Sequence, residues 1–481
     1  MTVPAPLPPL AATPEPVSDV TAHQGGAPAW GPWVGAGVAL LPALLAVAQL
    51  GRIHPDEVYQ LLEPAWFRTH GYGVLAWEWR VGLRNWAAPL VASGLLRLAS
   101  LLGLTHPVAY RALLAVPQVA LHGWMLWAAY RFAERRVGPR GGLLAMLAMG
   151  LYGPVLVFAG RTLGESLSAA FLVVAMEALD RPERSARGGL VGGAALGLAV
   201  VVRYGSAVMV LMALAWLVGA RRWRTLAWTC LAGGVVAVGL GVLDQVTWGR
   251  PFHSFLAYVD FNVLSGQAAR QFGASPPSYY LGPWLRGLPG WIWLVAPLAW
   301  AAWRQRPSLS LPGLCAVGYF AALLFTAHKE ERFLYPGLLL LVLAAAPVAA
   351  GFVVSRGATA WRAVGGALLL LTAVVPGVFL LSEDLRGDQF RAIVSATRDE
   401  GTRGLLIVNE GLWGAGGFFY IGKNIPWMTC DWPQDANFQR AMRDARFNRA
   451  VTFDGRALAE LQAAGFQVMG RVGRETLLTR P

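Results

Sequence analysis

From residue 33 to residue 381 the chain alternates long apolar runs with short charged or polar segments. The runs are 33–51, 87–104, 107–130, 141–160, 164–180, 188–202, 205–220, 225–243, 288–303, 308–327, 333–355 and 363–381. Wound as a helix, about 20 apolar residues cover a bilayer core of ~30 Å. The pattern therefore predicts a polytopic α-helical membrane protein. Five basic clusters interrupt the runs: Arg131/Arg135/Arg136/Arg140, Arg181/Arg184/Arg187, Arg221/Arg222/Arg224, Arg304/Arg306 and Arg356/Arg362. Placed in the cytoplasm, as positively charged loops usually are, they leave an even number of crossings in every gap. Between the first run and Arg131, parity allows one crossing only. Run 87–104, which carries Ser93, Arg97 and Ser100, is predicted to lie along the membrane surface. The result is 11 spans, an inner N-terminus and an outer C-terminus.

Outside this core the pattern changes. Residues 1–30 are rich in Pro and Ala, without the basic start and apolar stretch of a cleaved signal, and read as a disordered tail. Residues 31–381 form the membrane domain, with a first outer loop at 52–106 and a second large one at 244–289. In the remainder, 382–481, segments 404–410, 425–430 and 449–453 read as strands and 388–400 and 457–466 as helices, a small α/β domain outside the membrane. Its "GLWGAGGFFYIG" is glycine-rich without the spacing of a phosphate loop. Capping a groove and a purely structural role both remain open for it.

Composition narrows the function. The 481 residues are 56% hydrophobic and 14% charged, with a net charge of +13. The excess is almost all Arg between apolar runs, with Lys only at 329 and 423, so it reflects topology rather than nucleic-acid binding. Cys230, Cys315 and Cys430 make no disulfide framework, and no metal-ligand spacing joins Cys and His. No cofactor is required, and metal dependence is left open.

The predicted topology gathers the charged motifs on the outer face: "HPDEVYQ", "GRTLGES", "VVRYGS", the loop from Asp244 to Pro289, and "HKEERF". Charges beside spans are expensive to bury and tend to mark function. In "HPDEVYQLLEPAW", Pro55 suits a first helical turn, and Val58, Leu61, Leu62, Ala65 and Trp66 make one apolar stripe. Pro64 is expected to break or bend this interfacial helix. Asp56 and Glu57 then sit at its N-terminus, where the helix dipole favours the ionised form. Such a carboxylate can act as general base toward a hydroxyl; ordinary capping explains it equally well. Arg161, Arg203, His328, Lys329 and Arg332 are cations at outer helix ends and suit a phosphate. Lipid headgroup contact is the alternative for each, least so for Arg203 between two short spans. The aromatic second loop, with Asn262, Gln267 and Ser278, suits a sugar or lipid groove or an interfacial belt.

These residues carry a resemblance. "HPDEVYQLLEPAW…GYGVLAWEWRVGLRNWAAPL", "GRTLGES", "VVRY", "DQVTWGRPF", "FNV", "SYYLGPWLRGLP" and "HKEERFLYP" resemble, in order, the motifs of glycosyltransferase family 22 over about residues 50–340. These are lumenal Alg9-like and GPI-type mannosyltransferases that use dolichyl-phosphate mannose. The resemblance implies the GT-C fold, with interfacial helices and an acidic catalytic residue in the first outer loop. It implies an inverting glycosyltransferase that moves mannose from a polyprenyl-phosphate donor to a lipid-linked or cell-surface glycan on the non-cytoplasmic face. Asp56 or Glu57 is the expected base. Arg203, Lys329, Arg332, His328 and Arg161 are the expected phosphate ligands. His54, Tyr59, Gln60, Trp77, Glu78, Glu165, Asn262, Tyr279, Tyr280 and Glu330 are the expected groove. Trp66 stands where the eukaryotic members usually have His, and Arg203-Tyr204-Gly205 where they have Arg-Pro-Thr; Ala274–Pro277 departs as well. The Arg-, Ala- and Gly-rich, Lys-poor composition points to a bacterial plasma membrane. Another polyprenyl-phosphate sugar, or a lipid-linked sugar flippase, are the alternatives; a transporter, however, tends to carry midplane polar residues and repeat symmetry.

Overall fold

The computed structural model describes residues 29–181, 186–290, 292, 311–355, 359–381, 387–408, 411–430 and 435–481. Most of the expected span 288–303 and the expected tail 1–30 lie outside them. Among the described residues four helices are long and apolar enough to cross a membrane: Gly31–Gln49, Pro107–Gly150, Trp223–Trp248 and Glu331–Ser355. Shorter apolar helices follow the remaining runs at Ala186–Val202, Tyr204–Gly219 and Leu311–Phe325. Run 141–160 is not one rod. Gly138, at φ 73°, kinks the helix Pro107–Gly150, and a separate short helix follows at Gly153–Phe158.

The bundle packs through small residues. Gly189, Gly193 and Gly197 repeat every fourth position, so they share one helix face. A Cβ on Gly189 or Gly193 would strike the Thr225 or Thr229 carbonyl, and one on Gly197 would strike Val236. Without them the helices Ala186–Val202 and Trp223–Trp248 could not approach this closely. The core joins Phe132, Met149, Tyr152, Leu172, Leu196, Ala213 and Leu339 from most of these helices.

The loop 52–106 folds as helices Glu63–His70, Trp77–Arg80 and Ala87–Leu101 after a π-helical stretch, Glu57–Leu62. The expected break at Pro64 does not occur. The wide π-turn ends just before it, and Pro64 occupies the first turn of Glu63–His70, where its missing N–H has no partner to lose. The stripe Val58, Leu61, Leu62, Ala65 and Trp66 is buried throughout. Helix Ala87–Leu101 packs on it with Ala92, Leu96 and Ala99 inward, while Val91, Leu98 and Leu101 stay exposed. The loop 244–289 is built of short helical pieces, and helix Trp223–Trp248 runs five residues past its expected end.

The C-terminal region carries a five-stranded sheet: β1 Leu405–Val408, β2 Trp427–Cys430, β3 Arg449–Thr452, β4 Gln467–Val472 and β5 Glu475–Thr479, ordered β2-β1-β3-β5-β4. β2, β1 and β3 run parallel, and the β4–β5 hairpin adds antiparallel. Alternation along β1 gives the sheet two apolar faces. Leu406 and Val408 pack against Phe438, Leu461 and Phe466. Leu405 and Ile407 face Phe390, Ile393 and Phe419, in one cluster with Val58, Leu62, Trp66 and Tyr110. The sheet thus shares a core with the helices of loop 52–106.

Candidate active site

Side-chain direction separates the two adjacent acids. Asp56 turns outward to Arg332, with Oδ2 at 2.7 Å from a guanidinium nitrogen. Glu57, one position on, is buried: its Oε1 accepts from the Ile53 amide at 2.5 Å, and its Oε2 is 3.9 Å from Arg161. Arg161 is also buried and donates to the Gly51 carbonyl at 2.5 Å and to Gln49 Oε1 at 2.7 Å. This second pair ties the end of the first span to the interfacial helix. The structure therefore corrects two expectations: Glu57 is not beside Asp56 in the outward cluster, and Arg161 is not among its cations.

Around Asp56 the structure brings together residues from four segments. Arg332 Nε lies 2.6 Å from Glu330 Oε2. His54 lies 3.2 Å from Asp56 and 3.3 Å from Glu330. His328 lies 2.9 Å from Glu330. Arg332 also approaches Glu165, at 3.3 Å, and the same Glu165 oxygen takes Arg203 at 2.7 Å. Glu165 is 1% exposed, so its charge is held by these two arginines. Burial pushes the Asp56 carboxyl up, but Arg332, then His54, then Arg84 more than offset it and hold it well below the ordinary carboxylate range. For Glu330 burial is likewise outweighed, by His328 and Arg332, and the carboxyl comes down to about 2. Both acids are ionised at neutral pH.

Beside this cluster opens a cleft with about 650 Å³ of empty space, its open mouth included. Arg84, Arg203, Glu165, Gln60, Tyr204 and Tyr258 are among its lining. Glu78, 2.7 Å from Arg84 and 2.9 Å from Gln60 Nε2, braces the wall. Arg84 and Tyr204 were not singled out from the sequence. Arg84 lies inside the "WEWRVGLRNW" stretch, a guanidinium between Trp79 and Trp86; its setting was the available signal.

Other expected residues lie elsewhere. Lys329 is buried and donates to the Leu323 and Leu324 carbonyls at 3.2 Å each, and to Thr326 O. It caps the helix Leu311–Phe325 rather than the cleft. The Tyr59 hydroxyl donates to the Leu412 and Ala415 carbonyls at 2.5 and 3.0 Å, away from the acids. Trp77 packs on Phe261 and Phe272, and Asn262 donates to Tyr258 O at 3.0 Å. Tyr280 is buried against the bundle and its neighbour Tyr279 is partly exposed.

The C-terminal region reaches helix Glu63–His70 through its glycine-rich loop. Glu63 accepts from the Phe419 amide at 2.6 Å and from the Val74 amide at 2.8 Å. Gly417, at φ +66°, has no room for a Cβ against this carboxyl. Burial raises the Glu63 carboxyl to about 7, against the pull of these amides and that of Phe418.

The profile of the Alg9-like mannosyltransferase family matches residues 38–382. The chain belongs to this family. It is 29% identical over 323 residues to GPI mannosyltransferase 3 of Yarrowia lipolytica, 61% of this chain and 57% of that one. It is 25% identical over 341 residues to GPI alpha-1,2-mannosyltransferase 3 of Danio rerio, 68% and 60% of the two chains. The chain thus spans a little over half the length of these curated relatives. Both are eukaryotic, and they lend no support to a bacterial plasma membrane. Among solved structures it shares the fold of ArnT from Cupriavidus metallidurans bound to undecaprenyl phosphate, with TM-score 0.63 and 15% identity over 94% of this chain and 98% of that one. It also shares the fold of the archaeal oligosaccharyltransferase AglB from Archaeoglobus fulgidus in complex with an inhibitory peptide and a dolichol-phosphate, with TM-score 0.54 and 12% identity over 91% and 72%. The protein is a helical membrane protein that shares the fold of these two structures.

Proposed function

We propose that the chain is an inverting glycosyltransferase that moves mannose from a polyprenyl-phosphate-linked donor to a lipid-linked or cell-surface glycan, on the non-cytoplasmic face of the membrane. The observation that carries this reading is the placement of one ionised, partly accessible carboxylate, Asp56, beside a cleft walled by Arg84 and Arg203. The donor phosphate sits against these two guanidiniums, whose forked donors match phosphate oxygens. Asp56 accepts the proton of the acceptor hydroxyl. The hydroxyl oxygen bonds to the anomeric carbon as the bond from that carbon to the phosphate oxygen breaks. The polyprenyl phosphate leaves with one more negative charge, and Asp56 returns its proton to solvent. A phosphate needs no acid to leave, so positioning and charge stabilisation carry most of the rate. The reading calls for no metal or cofactor.

Arg332 sets the resting state of Asp56. While paired, the carboxylate is a weak base. Donor charge entering near Arg332 and Glu165 loosens that pair and strengthens the base. The 11-span topology, with the acids on the outer face, fits this reading, and the Lys-poor composition keeps a bacterial plasma membrane as our choice of host membrane.

The test uses purified protein with synthetic polyprenyl-phosphate mannose and a panel of mannosylated lipid acceptors. The expected result is a new glycosidic product with release of one polyprenyl phosphate per mannose. Movement of the donor across a vesicle membrane without product, or transfer only from a nucleotide sugar, contradicts the proposal.

A further inference from the structure

Two arginines on different segments must be held at a fixed spacing to grip one phosphate. Arg84 lies in the first outer loop, and Arg203 follows the helix Ala186–Val202. The residue after each belongs to one hydrogen-bonded chain. Asn85 Nδ2 donates to the Tyr204 hydroxyl at 2.8 Å and also to the Val201 carbonyl at 2.8 Å. The Tyr204 and Ser254 hydroxyls are 2.5 Å apart. Ser254 Oγ donates to Asp244 Oδ2 at 2.6 Å, and the Ser254 amide donates to the same oxygen at 2.9 Å. From the next turn of the Asp244 helix, Trp248 Nε1 donates to the Arg84 carbonyl at 3.1 Å. Asp244 and Ser254 are fully buried and neither lines the cleft.

The carboxylate fixes the direction of this chain. It can only accept, so Ser254 must donate to it, Tyr204 must donate to Ser254, and Asn85 must donate to Tyr204. One anionic end thereby orients every proton, and each bond polarises the next. A helix of the second outer loop and the end of a span are joined in this way to the two loops that bear the arginines. We infer that Asp244, through Ser254, Tyr204 and Asn85, is a positioning residue that sets the separation and aim of Arg84 and Arg203 for the donor phosphate.

The inference rests on the cleft being the donor-phosphate site, and the experiment separates the two. Donor KM, acceptor KM, kcat and melting temperature are measured in detergent for Ser254→Ala, Asp244→Asn, Arg84→Ala and Arg203→Ala. Ser254→Ala cuts the chain at its middle while leaving the Asp244 carboxylate its amide donor, so it keeps the test valid if Asp244→Asn folds poorly. Both strut variants are expected to raise donor KM about tenfold, the value of roughly one lost hydrogen bond, with acceptor KM unchanged. In the Ser254→Ala/Arg84→Ala double variant, measured alongside, the effect on donor KM is expected to fall short of the sum of the two single effects, because they act on one element. A fall in melting temperature with donor KM unchanged, while the two arginine variants raise it, overturns the strut and leaves the cleft assignment standing. Unchanged donor KM in Arg84→Ala and Arg203→Ala overturns the cleft assignment and the strut with it.

Discussion

Arg332→Met tests the electrostatics of the site. Arg332 faces Asp56 at 2.7 Å, Glu330 at 2.6 Å and Glu165 at 3.3 Å, and its side chain is 10% exposed. Unit charges about 4 Å apart interact by about 4 kcal/mol at an effective dielectric of about 20. Removing one partner of a largely buried pair costs about 3–5 kcal/mol, because the other partner stays buried and uncompensated. Methionine keeps much of the volume, so packing loss contributes little. In the parent protein the Asp56 and Glu330 pKa values are depressed. Their stabilisation is complete above the unfolded carboxylate range of about 4 and is lost only as pH falls through the native values. In Arg332→Met the guanidinium is gone and only His54, Arg84 and His328 still oppose burial, so both carboxyls titrate higher and the variant's deficit eases as they protonate. The deficit is therefore large at pH 7 and shrinks toward pH 4. Melting in detergent micelles from pH 4 to 8 reads it. At neutral pH the variant should melt on the order of 5–10 °C lower, given the modest shift per kcal/mol in a long chain. A deficit under about 1 kcal/mol, as for a surface pair, or one that does not depend on pH, refutes the reasoning.

Two further predictions concern the contact between Glu63 and the glycine-rich loop. The native Glu63 carboxyl titrates at about 7, above its ordinary value of 4.5. A raised carboxyl favours the folded state while protonated, so that contribution is present below pH 4.5 and lost as pH rises to 7, on the order of 3 kcal/mol in all. Glu63→Gln should flatten the melting-temperature profile over this range relative to the parent; parallel profiles would show the acid is not buried as described. Gly417→Ala places a Cβ against the same carboxyl at a positive φ and should cost about 1–3 kcal/mol locally. Hydrogen exchange at the Phe418 and Phe419 amides should speed up accordingly, and unchanged protection would contradict the close packing.

Periodicity carried most of the fold because membrane helices satisfy their own backbone and leave the pattern of apolar runs intact in the sequence. The β4–β5 hairpin escaped notice because "QVMGRV" and "ETLLT" show only weak strand patterning, and their pairing is fixed by β3 rather than by local propensity. Within the site, residue type pointed to the right segments but not to directions. Asp56 and Glu57 are adjacent in sequence, yet neighbouring positions on a helix face different ways, and only the packing of Gln49, Gly51 and Arg161 decides which acid turns inward. Lys329 and Arg332 share "HKEERF", but the free carbonyls ending Leu311–Phe325 claim the lysine. The partner of Asp56 is 276 residues away and that of Glu63 is 356 away, separations no local pattern encodes. The backbone amides of the glycine-rich "GLWGAGGFFYIG" donate to a protein carboxylate, Glu63.

The most direct test of the account is the turnover of Asp56→Asn with polyprenyl-phosphate mannose and a lipid acceptor, with folding checked by melting temperature. Asparagine preserves size and contact with Arg332 but cannot take a proton. The account predicts a loss of at least ~10²-fold in kcat, the lower end for a removed general base. Near-normal turnover in a folded Asp56→Asn protein would contradict it.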